Sequence, residues 1–202
     1  MERDKEREVT HSREGGFTLP ELLVVILIMA IFLLAVGRMV SDGARSSSAS
    51  YGAVKVQEAG NEAVATITRQ LRGAVSLSPD SGSRYVLFAL DSDGDGNLEA
   101  AAFGAEGGWL RKGLSGLGED PVMEDWIEGC TDFVFRYYTY NPATGRLEEL
   151  APGSAAWAGG GHLEVRKIEV RLTLARGALG GVEVSRDFSG SVSLRNRLEE
   201  LF

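Results

Sequence analysis

A tract of twenty residues from Phe17 to Val36 contains a single charged residue, Glu21. In helical form, twenty residues extend about 30 Å, which matches the hydrocarbon thickness of a bilayer. The tract therefore predicts one membrane-spanning helix. A secretory signal peptide fits the pattern less well, because its small-residue cleavage site follows a shorter apolar region. Here the small residues Gly15 and Gly16 precede the apolar tract.

The charge at Glu21 is costly in this setting. An ionisable residue inside a spanning helix costs about 2.5–3.5 kcal/mol on insertion scales, so Glu21 is a candidate functional residue. The alternative is that Glu21 lies at the headgroup level near a helix end. Pro20 would clash with the carbonyl of Gly16 in a continuous helix. A cut after Gly16 removes that clash and leaves Pro20 in the first helical turn, where it is tolerated.

Gly16 followed by Phe17-Thr18-Leu19-Pro20-Glu21 resembles the leader junction of type IV prepilins. The resemblance implies that prepilin peptidase cleaves between Gly16 and Phe17 and that Phe17 is then N-methylated. It also implies that Glu21 pairs with the amino terminus of a neighbouring subunit. Residues 1–16 would be the cleaved cytoplasmic leader, and residues 17–36 the transmembrane and assembly helix.

A second helical pattern follows the apolar tract. Apolar residues recur near steps of three and four, at Tyr51, Val54, Ala59, Ala63, Val64, Ile67 and Leu71. This spacing predicts an amphipathic helix that packs one face against a sheet. Residues 37–75 are therefore expected to continue the first helix, with a bend or loosening around residues 37–50, where serine and glycine weaken helix.

Residues 76–202 are predicted to form a C-terminal antiparallel β domain. Strands are expected at residues 84–90, 98–103, 130–140, 163–175 and 182–196, with residues 113–129 irregular and 152–161 a loop. Ile168, Val170, Leu172 and Leu174 alternate with polar residues, which is typical of an antiparallel strand with one buried face. The expected fold is α+β, with a long N-terminal helix packed on an antiparallel sheet.

Over the whole chain, this order of elements resembles the pilin fold. The finer resemblance is to W-type minor pilins and to the J-type minor pseudopilin of type II secretion. It is carried by an Asp-rich turn followed by Trp109-Leu110-Arg111, and by the segment Val192-Ser193-Leu194-Arg195-Asn196.

The Asp-rich turn is a candidate metal site. Asp91, Asp93 and Asp95, followed by Gly96, match the first half of an EF-hand loop, and Glu99 is a further carboxylate. The twelfth position of such a loop, where a bidentate glutamate is expected, is Ala102. The pattern therefore favours a polar β-hairpin turn, with weak calcium binding as the alternative. No cofactor is required by the pattern.

Composition bounds the remaining function classes. The net charge of −8 argues against a nucleic-acid footprint, and residues 166–176 are the one candidate basic strip. Cys130 is the single cysteine, so an intrachain disulfide is excluded. His11 and His162 lie outside any Ser-His-Asp or metal-ligand pattern, so we do not expect an enzyme.

The sequence thus predicts a minor pilin or pseudopilin that is inserted in the inner membrane by a single span. Its C-terminal domain would be periplasmic or extracellular, and its partners would be prepilin peptidase, the membrane and other pilins contacted through the N-terminal helix. The alternative from a different class is a single-pass membrane protein with a calcium-dependent binding domain and no filament. Cleavage after Gly16 separates the two hypotheses, because a plain anchor needs none.

Overall fold

The computed structural model describes residues 17–177 and 183–194. Two helices, one 3₁₀ turn and nine strands occur within these ranges. In chain order they are α1 (Leu19–Arg72), β1 (Ala74–Leu77), β2 (Tyr85–Leu90), β3 (Glu99–Glu106), β4 (Trp109–Gly116), β5 (Glu124–Glu128), β6 (Cys130–Asn141), β7 (Arg146–Leu150), α2 (Ala155–Ala158), the 3₁₀ turn (Gly161–Glu164), β8 (Val165–Gly177) and β9 (Glu183–Ser193). The predicted α+β order, a long helix followed by antiparallel β-structure, is confirmed.

The strands form two antiparallel sheets rather than the one expected. The first sheet is a five-stranded meander in the order β1-β2-β3-β4-β5, and the second has the order β7-β6-β8-β9. β5 lies in the segment that was predicted to be irregular, and α2 lies in the predicted loop. The 3₁₀ turn begins at the last residue of that loop and extends into the predicted strand 163–175. These predictions were wrong because five-residue and four-residue elements carry too little periodicity to be recognised in a single sequence.

α1 is an uninterrupted helix through Gly37 and Gly43, so the expected loosening around residues 37–50 does not break its hydrogen bonding. The helix ends at Arg72 rather than near Val75, because residues 74–77 pair with β2 instead. The predicted leader, residues 1–16, lies outside the described residues.

One stripe of α1 packs against the four-stranded sheet. Its buried residues are Val56, Gly60, Ala63, Ile67 and Leu71, at helical steps of three and four. A side chain at Gly60 would collide with the ring of Phe188 on β9, and one at Gly190 would collide with Val64 on the helix. Glycine at both positions therefore allows close packing of helix and strand. Tyr51 and Val54, which were expected on this face, are exposed.

The core of the second sheet is aromatic. Phe133, Phe135 and Tyr137 alternate along β6 and are each at most 1% exposed. Tyr137 packs edge-on against Trp157 at 4.9 Å, and its hydroxyl donates to the carbonyl of Gly82 at 2.8 Å. Trp157 donates from Nε1 to the carbonyl of Pro79 at 2.7 Å, so both rings tie the β1–β2 loop to this sheet. Burial raises the pKa of Tyr137 far above its ordinary value.

Gly129 joins the two sheets. Its N–H donates to the carbonyl of Gly108 at 2.9 Å, and its own carbonyl accepts from the N–H of Ala175 at 2.8 Å. Its φ of 91° is in the left-handed region that favours glycine. Cys130, the next residue, is buried, and desolvation raises the pKa of its thiol to about 11. The thiol is therefore protonated at neutral pH and serves as a small apolar side chain.

Candidate processing and assembly site

The start of α1 suits a helix that begins close to Phe17. The carbonyl of Thr18 accepts hydrogen bonds from the N–H groups of Glu21 at 3.0 Å and Leu22 at 3.2 Å. Pro20 is the second helical residue, a position whose N–H would have no helical acceptor. The proline therefore interrupts no helical hydrogen bond. Gly16 lies outside the described residues, so the predicted cleavage junction is described only on its Phe17 side.

The first half of α1 presents an apolar surface on every side. All residues from Phe17 to Val36 are exposed. By length and composition the helix can cross a membrane, because an eighteen-residue window has a mean hydropathy of 2.9 and none of that window is buried. An apolar surface of this extent marks a membrane or protein interaction site. Lipid chains or other apolar helices are the two environments that would cover it.

Glu21 is the one acidic residue in the first turn of this helix. The positive end of the helix dipole favours a carboxylate there. Among residues 17–177 and 183–194, no ion pair includes the carboxylate of Glu21. The chain thus places an acidic group on an apolar surface at the helix end, and leaves its charge without a cationic partner among the described side chains.

The Asp-rich turn is the loop between β2 and β3. Asp91 accepts hydrogen bonds from the N–H groups of Gly94 and Gly96, and Asp93 accepts one from Asp95. Gly94 and Gly96 have φ values of 80° and 87°, which only glycine adopts readily. These bonds are those of a tight turn built from aspartate and glycine.

The same loop brings three carboxylates together. One oxygen from each of Asp91, Asp93 and Asp95 lies within 4.8 Å of the others. The carboxylate of Glu99 turns towards the loop and accepts from the N–H of Ser92 at 3.2 Å. The pKa of Asp95 is lowered by its hydrogen bonds from Asn97. Oxygen ligands of this kind suit a hard cation such as calcium, although strands rather than helices flank the loop.

Two further segments singled out in the sequence, residues 109–111 and 166–176, make contacts within the β domain. Leu110 of the Trp109-Leu110-Arg111 segment is buried in the first sheet, and Arg111 forms an ion pair with Glu106 at 2.6 Å. The candidate basic strip does not form one cationic surface. Lys167 bonds to Glu169 at 2.7 Å, and Arg176 lies 3.7 Å from Glu128.

One feature of the fold was missed by the sequence analysis. A groove of about 510 Å³ lies on the face of the four-stranded sheet that points away from α1. Arg136 and Glu169 line it on neighbouring strands, and Ser189 and Ser191 line it on β9. The alternation of these polar residues with buried ones was visible in the sequence, but the strand register that places them together was not.

Two comparisons with known proteins bear on the fold and the motif. The family model described as the prokaryotic N-terminal methylation motif matches residues 11–37. The fold is similar to the solved structure of a type IV-like pilin from Thermus thermophilus, and the match covers 69% of this chain and 97% of the pilin chain. Its TM-score is 0.50 and its sequence identity 15%. No curated protein matches the chain in sequence.

Proposed function

Since the chain carries a prepilin-type methylation motif and has a type IV pilin-like fold, we propose that it is a minor pilin or pseudopilin. In this proposal, prepilin peptidase cleaves between Gly16 and Phe17, Phe17 is N-methylated, and α1 packs among the helices of other pilins. Glu21 pairs with the amino terminus of a neighbouring subunit. The protein is a structural subunit of the inner membrane, with its β domain on the periplasmic or extracellular side.

The observation that carries this proposal is the contrast between the two halves of α1. The first half is apolar and exposed on all sides, whereas the second half buries one stripe beneath a sheet. A free apolar half supports use of the helix first as a membrane anchor and then as a packing element. The segment from Trp109 to Arg111 and the segment from Val192 to Asn196 support the minor-subunit assignment, as either a W-type pilin or a J-type pseudopilin.

Processing gives the most direct test. We expect the mature protein to begin at Phe17, so intact-mass measurement of membrane-extracted protein should show loss of residues 1–16 and gain of one methyl group. The measurement requires cells with an active prepilin peptidase. Gly16→Leu is the matched control, because a bulky residue at the cut should leave the precursor full-length. Retention of Met1 on the unmodified sequence would contradict the proposed pilin role.

The second candidate function is a membrane-anchored, calcium-dependent binding domain outside any filament. It is favoured by the three close carboxylates of the β2–β3 loop. We propose that this loop is foremost a turn, because Asp91 already accepts two backbone hydrogen bonds. In this view Asp91, Asp93, Asp95 and Glu99 give at most a weak calcium site.

Calorimetric titration of the full chain in detergent micelles tests the calcium proposal. We expect the Kd for calcium to be weaker than about 1 μM, a value that lies in the sensor range of complete EF-hand loops. Asp93→Asn should weaken any binding further, because it removes one carboxylate while keeping an acceptor for the N–H of Asp95. Submicromolar binding that Asp93→Asn abolishes would favour the calcium-dependent domain.

A further inference from the structure

The outer edge of the four-stranded sheet differs from the other sheet edges. β1, β5 and β7, which form the remaining edges, have four or five residues each, whereas β9 has eleven. Proteins usually keep exposed edge strands short or block them with proline or lysine. β9 contains neither residue. Among residues 17–177 and 183–194, its backbone pairs only with β8, so no described strand uses the donors and acceptors of its other edge.

The strand register places the groove beside this edge. On the face that points away from α1, one row across the sheet contains Val134, Arg171 and Ser189. The next row contains Arg136, Glu169 and Ser191. β9 contributes only serine side chains to these rows. A segment placed along β9 is therefore separated from Arg171 only by the small side chain of Ser189.

The two acidic groups that line the groove are already compensated. Glu169 accepts from Nζ of Lys167 at 2.7 Å and from the hydroxyl of Tyr138 at 2.9 Å, and these bonds lower its pKa. Asp132 lies 3.8 Å from the guanidinium of Arg84. Arg171 forms no ion pair with any residue that the structure describes. Arg136 interacts with Tyr138 and Glu169, so Arg171 is the cation of the groove that pairs with no described side chain.

We propose that the free edge of β9 is a docking site for an extended, carboxylate-bearing peptide segment of a partner protein. The segment adds to the sheet as a further strand, so that its backbone pairs with β9. Its alternate side chains then continue the rows across the sheet, and a carboxylate in the row of Ser189 reaches Arg171 over that serine. This contact is separate from the helix packing proposed above.

The distances allow this arrangement. Neighbouring strands lie about 4.8 Å apart, so a residue on the added strand would be about 9.6 Å from the backbone of Arg171. Extended glutamate and arginine side chains together cover that gap, since the intervening Ser189 is small.

Charge favours a peptide over nucleic acid as the occupant. A nucleic-acid site needs a stripe of clustered basic residues. This face instead mixes Arg136 and Arg171 with Asp132, Glu169 and Asp187, and the whole chain carries a net charge of −8. A segment with alternating side chains can match such a mixed surface through a few positions, because it also gains backbone hydrogen bonds along β9.

The test uses the full chain in detergent micelles and fluorescence anisotropy with labelled peptides. The probe is a nine-residue peptide of alternating glutamate and threonine, and its neutral match has glutamine in place of glutamate. We expect the acidic probe to bind at least tenfold more tightly than the neutral one. Arg171→Glu should weaken binding of the acidic probe by at least tenfold. Arg186→Glu is the matched control, because Arg186 lies on the opposite face of β9, and it should change binding less than twofold.

Strand addition itself is tested with two further probes that are N-methylated at alternate backbone positions, one for each register of methylation. We expect one of them to lose binding, and hydrogen exchange of residues 183–193 to slow with the unmethylated probe. The proposal is overturned if no peptide binds at 1 mM, if the neutral and acidic probes bind equally, or if both methylated probes bind like the parent. Tighter binding of a single-stranded DNA oligonucleotide through Arg171 would also overturn it. Glu21→Gln should bind the probe normally, so failure of the helix assembly proposal would leave this result unaffected.

Discussion

Glu21→Gln is expected to be inserted and cleaved nearly normally but to fail to join the assembly. In the bilayer the carboxylate of Glu21, in the first turn of α1, can reach the headgroup level. When helices pack together, water and headgroups are excluded, and an ionised carboxylate needs a partner. In the proposed function, cleavage before Phe17 would free a cationic amine that can be that partner. Glutamine keeps the size of the side chain but removes its charge, so the pairing and the helix register it sets are lost.

Co-purification and crosslinking with partner pilins measure this effect. We expect recovery of Glu21→Gln with its partners to fall at least tenfold, while intact mass still shows a chain that starts at Phe17. Glu21→Asp keeps the charge on a shorter side chain, and it should also be impaired because its carboxylate falls short of the partner amine. If Glu21→Gln assembles like the unmodified protein, Glu21 is only a tolerated charge at the membrane interface.

Gly129→Ala is expected to cause a large loss of stability in the β domain. At a φ of 91°, alanine is strained, and its Cβ would collide with the backbone carbonyl oxygen of Ala175. Relief of the collision requires the loss of the Ala175 to Gly129 hydrogen bond that joins the two sheets. Strain and the lost hydrogen bond together should lower the free energy of unfolding by about 2–4 kcal/mol. Thermal unfolding of the full chain in mild detergent, followed by tryptophan fluorescence, measures this loss.

Gly118→Ala is the matched control for this prediction. Gly118 has a nearly identical φ of 92°, but a Cβ at this position meets no atom within 4 Å. Its loss of stability should therefore be limited to backbone strain, about 1–2 kcal/mol. An equal loss at the two positions would show that the contact with Ala175 contributes nothing.

The parts of the fold that were predicted from sequence have long, regular patterns. β6 and β8 have twelve and thirteen residues, so their alternation is unmistakable, and the apolar first half of α1 is equally clear. β5 and α2 are too short to show a period, and β5 forms because β4 supplies its partner. The buried face of α1 differs from the predicted one because Gly60, which is buried against Phe188, has no apolar side chain to mark it in the sequence.

The candidate sites also differ in how much of each could be predicted from the sequence. The segment from Gly16 to Glu21 could be predicted as a candidate processing site from the sequence alone, because its residues are contiguous and each has a local physical role. The groove beside β9 combines Arg136, Arg171 and Ser189 from three strands. Its composition depends on strand order and register, which no local pattern in one sequence specifies.

The contact between Gly60 and Phe188 joins two residues that are synthesised at different times. Synthesis proceeds from the amino terminus at about 5–20 residues per second, so roughly 6 to 26 s separate translation of residue 60 from that of residue 188. During this interval the apolar stripe around Ala63 and Ile67 has no β9 to cover it. The apolar first half of α1 can therefore be complete long before the β domain is able to close on the second half. Newly made chains consequently pass through a stage in which this stripe is still uncovered.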